Sequence, residues 1–137
     1  MTIDAREAAE AWHLSPHPEG GFYRETYRSP ISVAHEGWPG DRALATAILY
    51  MLPAGESSAR HRVRSDELWL WQGGTPMVLT VGGAEHLVGP DPASGQRLQV
   101  LVPGGQWQSA TPAGAAGWSL VACIVAPGFD FADFEIG

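Results

Sequence analysis

An all-β fold, a small antiparallel barrel preceded by one short helix, is what this sequence predicts, on three observations. Seventeen glycines and eleven prolines are spread along 137 residues instead of being concentrated, so they read as turns between many short strands. The runs between those turns are apolar, aromatic or β-branched, and about eight of them recur at near-regular spacing. Apolar residues make up 45% of the chain, enough for one core and one domain over residues 1–137. Closure into a barrel suits such a set because it removes exposed strand edges.

Taken in order, Asp4-Ala-Arg-Glu7 is a capping box opening a helix to about Trp12, with Ala8, Ala9 and Trp12 on one face. Pro16 and Pro18 end it. Strands follow over Gly21–Arg28, Asp41–Leu52, Ala59–Arg64 and Glu67–Gln72, the last two separated by Ser65-Asp66, where Asp66 caps the turn. Met77–Val81, Ala84–Val88, Arg97–Val102, Trp107–Ala110 and Trp118–Ala126 complete the set, and an acidic, aromatic tail runs from Phe129 to Gly137. Ser29–Gly40 is the longest structureless loop.

Composition removes several function classes. The net charge is −7, with eight arginines and no lysine, and no basic cluster for phosphate neutralisation; no nucleic-acid partner is expected. A single cysteine, Cys123, rules out an intrachain disulfide or a thiolate zinc cluster and reads as a buried, inert thiol. The first ten residues carry four charges and no apolar run approaches the ~20 residues a spanning helix needs. The expectation is a cytoplasmic protein without membrane contact.

Chemistry concentrates in Gly55-Glu-Ser-Ser-Ala-Arg-His61-Arg-Val63-Arg-Ser-Asp-Glu67 and on to Gly74, and in Pro103-Gly-Gly105-Gln-Trp-Gln108. These resemble the two cupin motifs, G(x)5HxH(x)3–4E(x)6G and PxG(x)2H, with Val63 and Gln108 in the places of two histidines. His17-Pro-Glu-Gly-Gly-Phe-Tyr-Arg-Glu-Thr-Tyr27, Ala45–Gly55, Val63–Trp69 and Val125-Ala-Pro-Gly-Phe-Asp-Phe-Ala-Asp-Phe134 are similar to the cupin-5 family, small cupins of unknown function. The resemblance implies a cupin jelly-roll β-barrel, a homodimer, and an architecture similar to dTDP-4-dehydrorhamnose 3,5-epimerase. In metal-dependent cupins the motif histidines and glutamate hold a divalent ion. Here His61, Glu67 and the Gln108 carbonyl remain, a set suited only to a weakly bound divalent metal, and no cofactor is firmly implied.

His61 is the first candidate catalytic residue: an imidazole can take a proton at physiological pH, and Glu67 is the carboxylate expected to orient it. A structural barrel histidine and a solvated hairpin acid are the competing readings. By resemblance to the GxFxE strand of the sugar-nucleotide epimerases, Tyr23 and Glu25 contact ligand; Arg24, Tyr27 and Gln108, the last by a hydrogen bond to the substrate, join them as substrate-binding candidates. Trp69 and Trp71 share strand parity with Glu67 and either wall the pocket or pack the core, as does Trp107 beside Gln108. Arg60, Arg62 and Arg64 alternate away from His61. His17 reads as part of a turn, and His13, His35 and His86 as surface residues. Function then divides between an isomerase- or epimerase-like enzyme abstracting a proton from a small, sugar-like carbonyl compound, a non-catalytic metabolite-binding cupin, and a weakly metal-dependent enzyme.

Overall fold

The computed structural model describes residues 3–137. Asp4 caps α1 (Ala5–Ala11), its Oδ1 accepting the Glu7 N–H at 2.8 Å. Ala8 and Ala9 bury against Met51, Trp118 and Leu120, while Trp12 meets Trp118 edge-on at 5.4 Å.

Fourteen strands follow among the described residues: β1 (Ser15–Pro16), β2 (Phe22–Arg28), β3 (Ser32–Val33), β4 (Arg42–Ala43), β5 (Thr46–Pro53), β6 (His61–Arg62) and β7 (Asp66–Gly74), then β8 (Met77–Val81), β9 (Ala84–Val88), β10 (Gln96–Arg97), β11 (Gln99–Val102), β12 (Gln108–Pro112), β13 (Trp118–Ala126) and β14 (Glu135–Ile136). One sheet runs β1-β2-β5-β13-β7-β11 and faces a second ordered β10-β9-β8-β12-β6-β14. Among the described residues every pairing is antiparallel except the two-residue β9–β10 contact. The expected all-β jelly-roll barrel with a short N-terminal helix is what forms.

Three local expectations are corrected. The run 41–52 is not one strand: Arg42–Ala43 pairs with Ser32–Val33, so the long loop carries a short ladder, and the second strand starts only at Thr46. Arg42 turns inward to a buried acid, which breaks the apolar run. The segment 59–64 contributes only His61–Arg62 to a sheet. Asp66 begins β7 and accepts the Gly104 N–H at 2.8 Å, tying two turns together rather than capping its own.

Inward side chains of the first sheet stack in rows set by register. Thr46, Val125 and Glu67 form one row, and Ile48, Cys123 and Trp69 the next; Tyr50, Val121 and Trp71 form a third. Leu52, Met77, Leu79, Val88 and Val100 fill the barrel beyond them, all buried. The first two rows are left partly open, and that is where the polar groups lie. No helix among the described residues is long and apolar enough to cross a membrane.

Candidate functional site

His61 opens the second sheet's contribution. Its Nδ1 lies 2.7 Å from the Ala59 carbonyl oxygen, and a carbonyl only accepts, so Nδ1 carries the hydrogen. Its Nε2 lies 3.1 Å from Glu19 Oε2. The residue that meets this imidazole is therefore Glu19 and not, as expected, Glu67. Two glycines deliver it. Gly20 and Gly21 have φ of +106° and +75°, and a Cβ on either would come within 2.7 Å of the Ser57 or Met51 carbonyl oxygen. Only glycine lets the chain press this close. The Ala59 N–H then donates to the Glu19 carbonyl at 2.6 Å, and the Tyr50 hydroxyl to the Gly20 carbonyl at 2.6 Å.

Both partners favour their neutral forms. Burial, reinforced by the negative charge of Glu67, pushes the Glu19 carboxyl up to about 9, and burial lowers the His61 imidazole. Near neutral pH the Glu19 carboxyl therefore keeps its proton, with Oε2 3.1 Å from His61 Nε2. His17 stands beside them: its Nδ1 accepts the Glu19 N–H at 3.0 Å, and burial with the nearby His61 brings it down to about 4.

The first sheet supplies the second acid. Glu67 is buried, and burial pushes it up to about 7, opposed by hydrogen bonds that favour its ionised form. Gln108 Nε2 donates to Glu67 Oε1 at 2.9 Å, and Trp69 Nε1 donates to Gln108 Oε1 at 2.9 Å. Gln108 thus orients Glu67 from behind and does not itself line the cavity. The Cys123 thiol also reaches Glu67, and burial holds it well above the ordinary thiol range, consistent with an unreactive side chain.

These groups border a narrow cavity of about 40 Å³, lined on the chemistry side by His17, Glu19, His61, Glu67 and Cys123. That is room for roughly three water molecules. Neither lysine nor arginine lines it. Phe129 and Phe134, from the C-terminal tail, cover its mouth.

Of the sequence-derived candidates, Tyr23, His61, Glu67 and Trp69 line this cavity. Gln108 sits directly behind Glu67. The others lie elsewhere. Arg24 points off the opposite face of β2, its Nε donating to the Trp12 carbonyl at 3.0 Å. Glu25 pairs with Arg28 at 2.7 Å beside an outer groove. A bulge between Glu25 and Tyr27 breaks the alternation, and Tyr27 is exposed. Trp71 belongs to the third row and packs against the core, its Nε1 buried without a partner. Trp107 lies outside the barrel, its ring covered by the Arg60 and Arg62 guanidinium groups at 4.1 and 4.6 Å. Those two arginines and Arg64 face away from His61, Arg62 pairing with Glu135 and Arg64 with Asp133.

Glu19, His17, Tyr50 and the two phenylalanines are the residues sequence reasoning missed. The signal available for Glu19 was an acid inside a Gly-Gly turn otherwise bounded by apolar strands.

A metal does not fit these residues. The Gln108 carbonyl, a proposed ligand, is taken by Trp69; His61 presents Nε2 to Glu19; and Val63 offers only hydrocarbon. No group of three or more His, Cys, Asp or Glu among the described residues is placed to hold an ion.

Comparison with known proteins agrees with this architecture. Residues 6–137 match the family model Cupin_5, described as Cupin superfamily (DUF985). The uncharacterized protein YML079W of Saccharomyces cerevisiae is 30% identical over 139 residues, covering 89% of this chain and 69% of the yeast protein. A hypothetical protein from Leishmania major superposes with a TM-score of 0.91 at 36% identity, over 98% of this chain and 88% of that one. Protein SO0799 from Shewanella oneidensis gives 0.89 at 35% identity, over 99% and 85%.

Proposed function

We propose that this chain, which belongs to the Cupin_5 family of the cupin superfamily, binds a small molecule inside its barrel and moves a proton on it. The observation that carries this reading is the arrangement of two buried carboxyl groups from different parts of the fold, one in contact with an imidazole, at one narrow cavity. Glu67, poised near neutrality, is the general base. It removes a proton from carbon next to a substrate carbonyl, and the electron pair moves onto the carbonyl oxygen. The proton on the neutral Glu19 carboxyl is available to that oxygen, as in sites where a carboxylic acid is kept neutral to donate a hydrogen bond. Return of that proton from Glu67 to the neighbouring carbon of the enediol, while the second hydroxyl gives its proton back to Glu19, completes an isomerisation; epimerisation requires the substrate to present its opposite face before the proton returns. The substrate class is a small carbonyl compound, sugar-like or simpler, whose buried part carries no anionic group, since no arginine or lysine meets it. The protein acts in the cytoplasm as a homodimer.

The test is exchange into heavy water. Small aldehydes, ketones and sugars incubated with the protein are followed by NMR for loss of the proton next to the carbonyl. Exchange should occur for at least one compound and fall ~10²–10⁴-fold in Glu67→Gln, with the fold retained. Equal exchange in both proteins refutes Glu67 as base. A ligand that raises the melting temperature and is recovered without exchange identifies the competing reading, a metabolite-binding barrel. That reading is favoured by Val63 and Gln108, which replace two imidazoles with groups serving packing and support.

A further inference from the structure

The cavity, about 40 Å³, has room for only a few water molecules, so a substrate needs its wall to move. That wall includes a strap, residues 129–134, laid across the barrel mouth with Phe129 and Phe134 turned inward and Phe131 left 53% exposed. The strap's root is fixed: the Gly128 N–H donates to the Ala43 carbonyl at 2.7 Å, and Ser65 Oγ donates to the Pro127 carbonyl at 2.6 Å. Its far end is held by the buried Asp133 side chain and, just beyond it, by β14, which pairs with β6. Asp133, buried, accepts from Arg42 Nε and Nη2 at 2.7 and 2.8 Å and from Arg64 Nε at 3.1 Å. Between root and latch the attachment is lighter, the Phe129 N–H donating to Thr46 Oγ1 at 2.9 Å and its carbonyl accepting from Arg28 at 3.2 Å.

Grooves flank the strap on both sides. The groove beside β2, about 390 Å³, shares Tyr23, Ile48 and Phe129 with the cavity. The one beside Arg62 and Arg64, also about 390 Å³, shares Val63 and Phe134. Each inward phenylalanine is thus a partition between the cavity and an open groove with room to receive a ring.

We propose that the strap is a door to the barrel, latched by Asp133 between Arg42 and Arg64, and that Phe129 is the leaf whose outward swing joins the cavity to the groove beside β2. The latch can release without unfolding the barrel, because the sheet hydrogen bonds around the cavity do not pass through residues 129–134. Local opening of a segment held by few contacts is expected below the free energy of global unfolding, and closure of such elements commonly sequesters a site from water. The purpose of the door rests on the small-molecule reading of the cavity; its existence does not.

Cys123 provides a readout, since it is the only cysteine and it lines the cavity. Its modification by methyl methanethiosulfonate, a small uncharged thiol reagent, is timed by mass spectrometry in native buffer and in low urea. Labelling of the natural protein should be slow and nearly independent of low urea, as for opening that exposes little surface. Asp133→Asn should speed it at least ten-fold, and Arg64→Gln, which alters an exposed partner of the latch, several-fold. Val88→Ala, a core change outside strap and cavity lining, should lower global stability and leave the rate unchanged. If Asp133→Asn does not fold, Arg64→Gln together with Phe129→Ala decides the matter. Labelling that rises with urea and follows global stability in every variant, or latch variants that label at the natural rate, would overturn the door. Because the thiol reports opening whether or not any substrate turns over, loss of this proposal and loss of the proton-transfer reading give different results.

Discussion

Alkaline solution should weaken this fold by an amount traceable to one carboxyl group. Between pH 4.5 and 6.5, the ordinary values for a glutamate and a histidine, the unfolded chain leaves Glu19 and Glu67 ionised and His17 and His61 protonated, two protons in all. The folded protein places its protons on the two carboxyl groups instead, with His17 brought down to about 4 and His61 lowered as well, so these opposing shifts offset one another there. Above pH 7 the balance fails. The unfolded chain has released all four protons, while the folded state still holds the one on Glu19, whose carboxyl is pushed up to about 9. A raised folded-state value stabilises on the acid side and loses its effect as pH climbs toward it. With one proton fewer on the unfolded chain, stability falls about ten-fold in the unfolding constant per pH unit, roughly 2 to 3 kcal/mol from pH 7 to 9. Cys123, also raised, adds to the decline only above about pH 8.5. Urea denaturation at pH 7, 8 and 9 measures it. Glu19→Gln keeps an N–H donor for His61 and cannot ionise, so its stability should decline much less over the same interval. Parallel decline of the two proteins would show that Glu19 is ionised in the folded state, and the neutral Glu19–His61 pair would be wrong.

Other outcomes follow from the same contacts. Gln108→Leu leaves the Trp69 N–H and a Glu67 oxygen without partners, and should cost about 2 to 4 kcal/mol in denaturant unfolding while raising the Glu67 carboxyl further by NMR titration. Asp133→Ala strands the buried Arg42 guanidinium and should cost about 3 kcal/mol or more, visible as a lower melting temperature. Leu68, Leu101 and Ile124 share the outer face of the first sheet beyond the helix, with Leu101 and Ile124 exposed; if this face carries the proposed dimer, sedimentation of the natural protein gives a dimer and Ile124→Glu a monomer. Elemental analysis of purified protein incubated with zinc, iron or manganese and desalted should find less than one ion per chain; a stoichiometric ion would contradict the donor arrangement around His61.

Much of the architecture could be read from one dimension because turns and strands are local events. Glycine and proline interrupt the apolar runs wherever the chain must reverse, and period-two patterning placed His61, Glu67 and Trp69 on inward faces. Resemblance to the second cupin motif brought position 108 to the same site as position 67. Parity fails where the backbone departs from it. The bulge after Glu25 exposes Tyr27, and parity cannot say in which row a residue falls, so Trp71 looked equivalent to Trp69 although it lies one row deeper.

What only the tertiary structure decided are the pairings between distant segments. Glu19 and His61 are forty-two residues apart, and their contact depends on a glycine turn pressing against Ser57 and Met51, a packing event without local signature. Arg42 and Asp133 meet across ninety-one residues. The aromatic tail could be recognised in sequence, but its position over the cavity follows from where β13 ends and where Asp133 finds its arginines. Strand-forming tendency is written residue by residue, whereas the protonation of a buried acid depends on everything folded around it. The sequence by itself therefore determined the barrel and the kinds of side chain inside it, and three-dimensional packing determined which of them meet and which stay neutral.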